Sequence, residues 1–537
     1  MRSFVSIVAD HELILLGLAT PLLLFPGIWS PLGVALIALT WASRWIAFGH
    51  LSARTAMDVP IVLLLIMAIV SLIPSVALDL SLNRLCIYVL GVSLFYGMVN
   101  GLHTERDIHH VGIALVLLGL AVAVVGFLGT DWEIGKLIEI PAIYGRLPGP
   151  IIRGLPGSGV IEEYDLFNPR VVAGALAILA AVPLAYLVFG EGWKFRLLSG
   201  LTALVMTTVL LLTQAPQGLL GLGAALILIA VWRSRWFLVS LVLGLGGLLV
   251  AWGFLAVGQT VSNWLSPGTR DALDFGLYSR AVNGAWGIAM VRDMPYTGPG
   301  LNTFPVLDSL YSGGGGHAPH AHNLLIQTAV DLGVPGLLGL LALLGAFAYT
   351  VARAYRASRN RNQRALLIGI CGAVLAWLAY GLLDSITLGH KPAMALWVML
   401  GVAAAARLQL EQPTRQSVSL PIQLSRKRCV LALLPLVLLL VIVGLTLGKT
   451  VGAVYLNVGV MEAHRALASA DSPSDAARHL DAATVHLRQA THWDPGGTRA
   501  YRLLDWIDSL DGHVLSKRWP RDSANVERWR SVFGSQK

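Results

Sequence analysis

Arg280 and His322 lie within one polar stretch, residues 259–323, and both have chemistry suited to moving a phosphorylated group. An arginine presents a planar, permanently charged fork that matches phosphate oxygens. A histidine titrates near neutrality and can take a proton from a hydroxyl or steady a leaving group. Each also has a plainer reading, since an interfacial arginine snorkels to headgroups and a histidine ahead of a helix can cap it. His317, His320 and His322 form a His-x-x-His-x-His run, which raises the question of a metal. No closely spaced carboxylate or cysteine completes a ligand set, and the run follows Gly313 to Gly316, so no metal is expected. Glu162, Glu163 and Asp165 cluster in a second polar stretch, 129–167, where they could orient an acceptor or lie solvated on the surface. Asp384, with His390 and Lys391 shortly after, ends an apolar run, a place where ionisable groups serve function or pair at the interface.

The elements that must position these residues are membrane helices. Of 537 residues, 55% are hydrophobic and 13% charged, about half the charged share of a soluble domain. That balance excludes a soluble enzyme and is the opposite of the disorder signature. The net charge is +9, but Lys and Arg gather between apolar runs rather than along one polar face, which excludes a nucleic-acid binder. Cys86, Cys371 and Cys429 are far apart in or beside apolar runs and read as small hydrophobes. One crossing takes roughly 20 mostly apolar residues. Thirteen such runs lie near 12–28, 31–49, 59–77, 81–101, 109–128, 168–190, 196–213, 217–232, 236–258, 324–352, 365–383, 391–408 and 429–448. The first holds Pro21 and Pro26 and no clear small-residue cleavage site, so the N-terminus is expected to stay on.

Short basic loops mark the cytoplasmic side. Loop 353–364 carries Arg353, Arg356, Arg359, Arg361 and Arg364, and loop 407–428 carries Arg407, Arg415, Arg426, Lys427 and Arg428. Alternation then predicts a cytoplasmic N-terminus, with loops 129–167 and 259–323 and the tail outside. The expected fold is an all-α polytopic membrane protein of about 12–13 transmembrane helices, with a membrane domain over 1–449 and a helical tail over 450–537. In the tail, Ala463, Ala466, Leu467, Ala476, Ala477, Leu480, Ala483, Leu487 and Ala490 recur at helical spacing. The pattern looks like a degenerate tetratricopeptide repeat, either a hairpin resting on the membrane domain or a surface for a partner or glycan.

His322-Asn323, nine residues, then Gly333-Val334-Pro335-Gly336 resembles the His-Asn-x9-Gly-x-x-Gly signature of the O-antigen ligase and O-antigen polymerase superfamily. Arg280 with Trp286, Pro295, Gly298 and Gly300 resembles that family's approach to the same loop, and Asn168-Pro169 its asparagine after a Gly-rich outside loop, here Gly145 to Gly159. The resemblance spans roughly residues 10–410 and leaves out the tail. It implies a helical membrane glycosyltransferase that takes a glycan from a polyprenyl-diphosphate donor, usually undecaprenyl, and joins it to a glycan, lipid or protein acceptor. It further implies the outer face of a bacterial inner membrane and no metal or other cofactor. Carried over, Arg280 binds the donor diphosphate and His322 activates the acceptor hydroxyl or steadies the pyrophosphate, with Asn168 and Asn323 beside them.

One position departs from the family. Where many members show Ser-Arg-Gly, this chain reads Gln214-Ala215-Pro216-Gln217-Gly218, with Gln217 at the place of an arginine that contacts the diphosphate. A neutral amide cannot supply that charge. Arg170 is the preferred substitute, with Arg153 and Arg146 from the same outside loop as alternatives; otherwise the donor differs or this copy is impaired. Two other classes fit the bare residues: a transporter or flippase for an amphipathic solute, and a non-catalytic envelope scaffold working through the tail. Transporters bind near the midplane, whereas the suspicious polar residues here keep to one face.

Overall fold

A computed structural model describes residues 8–75, 77–132, 144–151, 167–234, 267–312, 318–411 and, in stretches, 448–507. Among these residues the protein is all-helical, apart from one bridge between Thr130 and Phe167. The helices are α1 (Glu12–Leu24), α2 (Ser30–Phe48), α3 (Asp58–Val70), α4 (Leu78–Gly101), α5 (Glu105–Gly129), α6 (Pro169–Phe189), α7 (Trp193–Thr213) and α8 (Pro216–Arg233). They continue with α9 (Pro267–Asp293), α10 (Phe304–Ser312), α11 (Leu324–Ala357), α12 (Arg361–Tyr380), α13 (Met394–Glu411) and α14 (Pro473–Trp493).

Nine spans among the described residues are long and apolar enough to cross a membrane: α2, α4 to α8, α11, α12, and α13 with the short turn before it. The chain is therefore an all-α polytopic membrane protein. Two expected spans are corrected in length, since the runs near 12–28 and 59–77 give α1 and α3, of 13 residues each. At 1.5 Å per residue such a helix is about 20 Å long, short of the roughly 30 Å hydrocarbon layer. The expected spans near 236–258 and, but for Gly448, 429–448 lie outside the described residues.

Local chemistry starts several helices where they start. Asn168, Asn323 and Asn360 each turn a side-chain oxygen onto the first free amides of α6, α11 and α12, and Thr104 with Asp107 forms a capping box on α5. Small residues then let the central helices close up, as membrane packing requires. A Cβ on Gly218 of α8 would stand 2.7 Å from the Ala173 side chain of α6, and one on Gly221 would stand 2.8 Å from the Ala376 carbonyl of α12. This tight contact of α6, α8 and α12 carries the first turn of α8 to the end of α12.

The basic loops share one face. Glu191 takes Arg361 at 3.4 Å, Asn360 donates to Glu105 at 2.9 Å, and Glu411 takes Arg353 and Arg407 at 3.1 Å each. These pairs are largely exposed and add little stability. The His320–Asn323 turn and the loop after α12 lie at the opposite ends of the same helices.

α11 is broken near its start. Gly333 has φ 69° and ψ 177°, and the loop that carries Tyr296 and Gly298 packs backbone to backbone against the break. The Val334 amide donates to the Pro295 carbonyl at 2.7 Å. A Cβ on Gly333 would sit 2.5 Å from the Tyr296 oxygen in a backbone conformation that side chains disfavour. Gly333→Ala is therefore expected to destabilise the protein by about 2 kcal/mol, seen as a lower melting temperature in detergent. An unchanged midpoint would show that the break tolerates a side chain.

In the tail, α14 buries Leu480, Ala483, Leu487 and Ala490 against Ala463, Ala466, Leu503 and Ile507. Val460 of the tail packs against the cluster of Met290, Phe304, Leu307, Ala318, Ala321 and Val330, which flanks His320.

Candidate active site

The site gathers around Asp384, in the turn that follows α12. The residue is 5% exposed, and its carboxylate is surrounded by donors. Oδ1 accepts from the Ser385 amide at 2.8 Å, lies 3.1 Å from His320 Nε2 and faces His322 Nδ1 at 3.6 Å. Oδ2 accepts from the Tyr380 hydroxyl at 3.0 Å and from Gln217 Nε2 at 3.1 Å. Burial alone would raise this carboxyl, but the His322 and His320 imidazoles and the Ser385 amide outweigh it and hold Asp384 well below the usual carboxylate range. It is an anion at neutral pH.

The two imidazoles stand edge to face, 4.3 Å between centroids. His320 is pushed down to about 4 by burial, against the pull of Asp384, so it is neutral at pH 7. Its Nδ1 accepts from the His322 amide at 3.3 Å, which leaves the ring proton on Nε2, directed at Asp384. His322 itself takes a left-handed backbone conformation, φ 51°, uncommon for a residue with a side chain and typical of functional turns. The turn is pinned on both sides: the Leu324 amide donates to the Gly381 carbonyl at 2.7 Å, and the Ala321 amide to Gln327 Oε1 at 2.8 Å. Gln327 in turn donates to Asp331, which also accepts from the Asn302 amide. Arg84 of α4 ties Asn302 to the Gly389 carbonyl, so the loops on either side of the site share one buried network.

Arg280 lies well inside α9, which begins at Pro267. Its Nε donates to the Leu383 carbonyl at 3.0 Å and its Nη1 to the Gly276 carbonyl at 2.9 Å. Among the described residues no carboxylate pairs with it within 4 Å, so carbonyls aim the guanidinium without cancelling its charge. Burial and the Arg170 guanidinium push Arg280 down, opposed by Asp384 and Tyr380, so two arginines and the carboxylate act on one another here. Arg170 is exposed on the first turn of α6, and its carbonyl lies 3.2 Å from the Tyr380 hydroxyl, where it shares with Asp384 the one proton that this hydroxyl has to donate.

The structure thus brings His322, Arg280, Arg170 and Gln217 to one turn. Asn168 and Asn323 serve as helix caps, with oxygens committed to the Arg170 amide and to the Leu325 and Ile326 amides. Gln217 is wholly buried and turned to Asp384. Arg146 is exposed just after Tyr144, whose hydroxyl bonds Gln214 and the Leu212 carbonyl. Arg153, the acidic residues Glu162, Glu163 and Asp165, and His317 lie outside the described residues.

Asp384 stands out in the sequence as an acid at the end of an apolar run, but its place beside His320 and His322, and the role of Tyr380, become visible only in the fold. The ligand set that looked incomplete acquires its carboxylate from beyond α12: His320, His322 and Asp384 place donor atoms within 4.8 Å of one another, close enough to hold a metal ion. The chemistry of the surroundings fits a cation poorly. His320 turns a proton, not a lone pair, to the shared point, and Arg280 and Arg170 bear on the same site. The arrangement suits a bound anion next to a base.

Residues 201–341, from α7 into α11, match a family model described as O-antigen ligase. That stretch holds Gln217, Arg280, His320, His322, Asn323 and Gly333 and leaves out Arg170, Tyr380 and Asp384. No curated protein matches the chain.

Proposed function

We propose, on the premise that the match over residues 201–341 supports membership in the O-antigen ligase family, that the protein transfers a glycan from a polyprenyl-diphosphate donor to an acceptor hydroxyl. The reaction is that of an O-antigen ligase or polysaccharide polymerase, on the outer face of a bacterial inner membrane. The observation that carries this reading is an unneutralised guanidinium, Arg280, fixed beside an Asp384–His322 pair.

In this reading the acceptor oxygen attacks the anomeric carbon, and its proton passes to His322. The bond from that carbon to the diphosphate oxygen breaks, and the electron pair leaves with the polyprenyl diphosphate. Arg280 and Arg170 meet the charge that develops on the leaving group, where fixed cations lower the barrier most. Asp384 accepts from His322 Nδ1, which frees Nε2 as the base and steadies the imidazolium that forms. The 3.6 Å separation is of the kind that tightens when substrate binds. No metal takes part, because the guanidiniums supply the positive charge. The basic face is cytoplasmic, as the loop charges favour. The tail, through Val460, braces the helices that flank the His320 turn.

Reconstituted protein supplied with a polyprenyl-diphosphate glycan and a panel of acceptors tests this. Release of polyprenyl diphosphate together with a glycosylated product, undiminished by a chelator, is the expected result. Well-folded protein that transfers nothing across that panel overturns the reading, and transfer that stops on chelation overturns the metal-free mechanism.

A further inference from the structure

Gln217 is an unusual side chain for its position. It is 0% exposed, in the first turn of α8, where α6, α8 and α12 meet through small residues. An apolar residue would be the stable choice there. Among the described residues the amide bonds from Nε2 to Asp384 Oδ2 at 3.1 Å, beside the Tyr380 hydroxyl, while its buried Oε1 has no hydrogen-bond partner. Turning the amide over would set two oxygens against each other, so the orientation follows from the carboxylate. A buried acceptor left without a donor is a cost to stability. Folding alone does not account for this residue.

We propose that Gln217 is a positioning residue for the transfer reaction, holding the Asp384 carboxylate in line with His322 through a neutral hydrogen bond. Two donors grip Oδ2, Gln217 from α8 and Tyr380 from α12, and they fix the rotation of the carboxylate. That rotation sets where Oδ1 lies, and Oδ1 is the oxygen that faces both imidazoles. The neutrality of the donor matters as much as its position. A cation at 217 would pair with Asp384 and quench the negative charge that His322 needs when it takes a proton. A carboxylate there would repel it. An uncharged amide fixes the oxygen and leaves its charge free to act. The diphosphate is then met by Arg280 and Arg170, and Gln217 does not touch it.

The inference rests on the transferase reading above, and kinetics with stability separate the two. Gln217→Met keeps the volume and removes the donor. It is expected to cut kcat roughly tenfold to a hundredfold, with the donor KM within about twofold and the melting temperature not lowered, since a buried unpaired oxygen has gone. Gln217→Arg is expected to lose kcat as well, with no gain in donor affinity. A Gln217→Met protein with wild-type kcat, or one whose kcat is kept while its melting temperature falls, means that the amide is structural and overturns the proposal. A Gln217→Arg protein with full kcat and a lower donor KM overturns it too, because position 217 would then be a diphosphate contact. Wild-type protein that transfers nothing defeats both readings together, whereas wild-type turnover with an unaffected Gln217→Met enzyme defeats this one alone.

Discussion

Asp384→Asn protein is expected to insert and fold but, on the proposed mechanism, to transfer glycan on the order of a thousandfold more slowly than wild type. The change keeps the shape of the side chain and alters two things. It removes the negative charge that, on the proposed mechanism, steadies an imidazolium on His322 during proton transfer. It also replaces one of two acceptor oxygens by an NH2 group in a place where every neighbour donates: Ser385, His320, Tyr380 and Gln217. With its nitrogen at the Oδ1 place the amide meets the Ser385 amide and the His320 Nε2 proton, and at the Oδ2 place it finds an acceptor only if the Gln217 amide turns over or the Tyr380 proton swings to the Arg170 carbonyl, so the clamp is rearranged either way and His322 loses its fixed orientation. Turnover by reconstituted protein, with insertion checked by gel filtration and melting, measures the effect. Loss confined to a higher acceptor KM would show that Asp384 binds substrate and does not serve His322, and turnover within a few-fold of wild type would remove it from the mechanism.

How much of this was legible in the sequence depends on separation along the chain. Helices read well, because each satisfies its own backbone in lipid and so announces itself as one apolar run. The starts of α6 and α11 were equally local, beside Asn168 and Asn323, whereas α12 begins at Arg361 behind its cap Asn360, four residues ahead of the apolar run near 365. α1 and α3 were read too long, since the apolar runs continue past Leu24 and Val70 through Pro26 and Pro74, beyond the ends of the helices. The site was half legible. Arg280 and His322 carry chemistry that their types disclose, and Asp384 was conspicuous as an acid at the end of an apolar run. Its partnership with His320 and His322 was hidden, because it forms only when the end of α12 closes on the turn before α11. The same limit applies to Gln217. Sequence shows a neutral residue where a charged one is expected, but its bond to Asp384 depends on the close approach that Gly218 and Gly221 allow between α6, α8 and α12.

Arg280→Ala is expected to slow transfer by about a hundredfold to a thousandfold, the size of effect seen when one fixed donor to a developing oxyanion is lost. Arg280→Lys should recover little of this. The guanidinium is held by two carbonyls, Leu383 through Nε and Gly276 through Nη1, and among the described residues nothing engages Nη2, which is left for a ligand oxygen. An ammonium offers a point charge and no rigid fork, so it cannot bond both carbonyls and a diphosphate oxygen in that geometry. Arg170→Ala should also slow transfer, and by less, because Arg170 is exposed and solvent screens its charge. If, as proposed, the two arginines meet one diphosphate, the double variant should lose less than the product of the single losses, since the Arg170 charge already bears on Arg280. Steady-state rates for the four proteins, with donor concentration varied, measure the coupling. If Arg170→Ala leaves both kcat and donor KM untouched, Arg280 meets the diphosphate without it, and the charge missing at position 217 must come from another part of the chain.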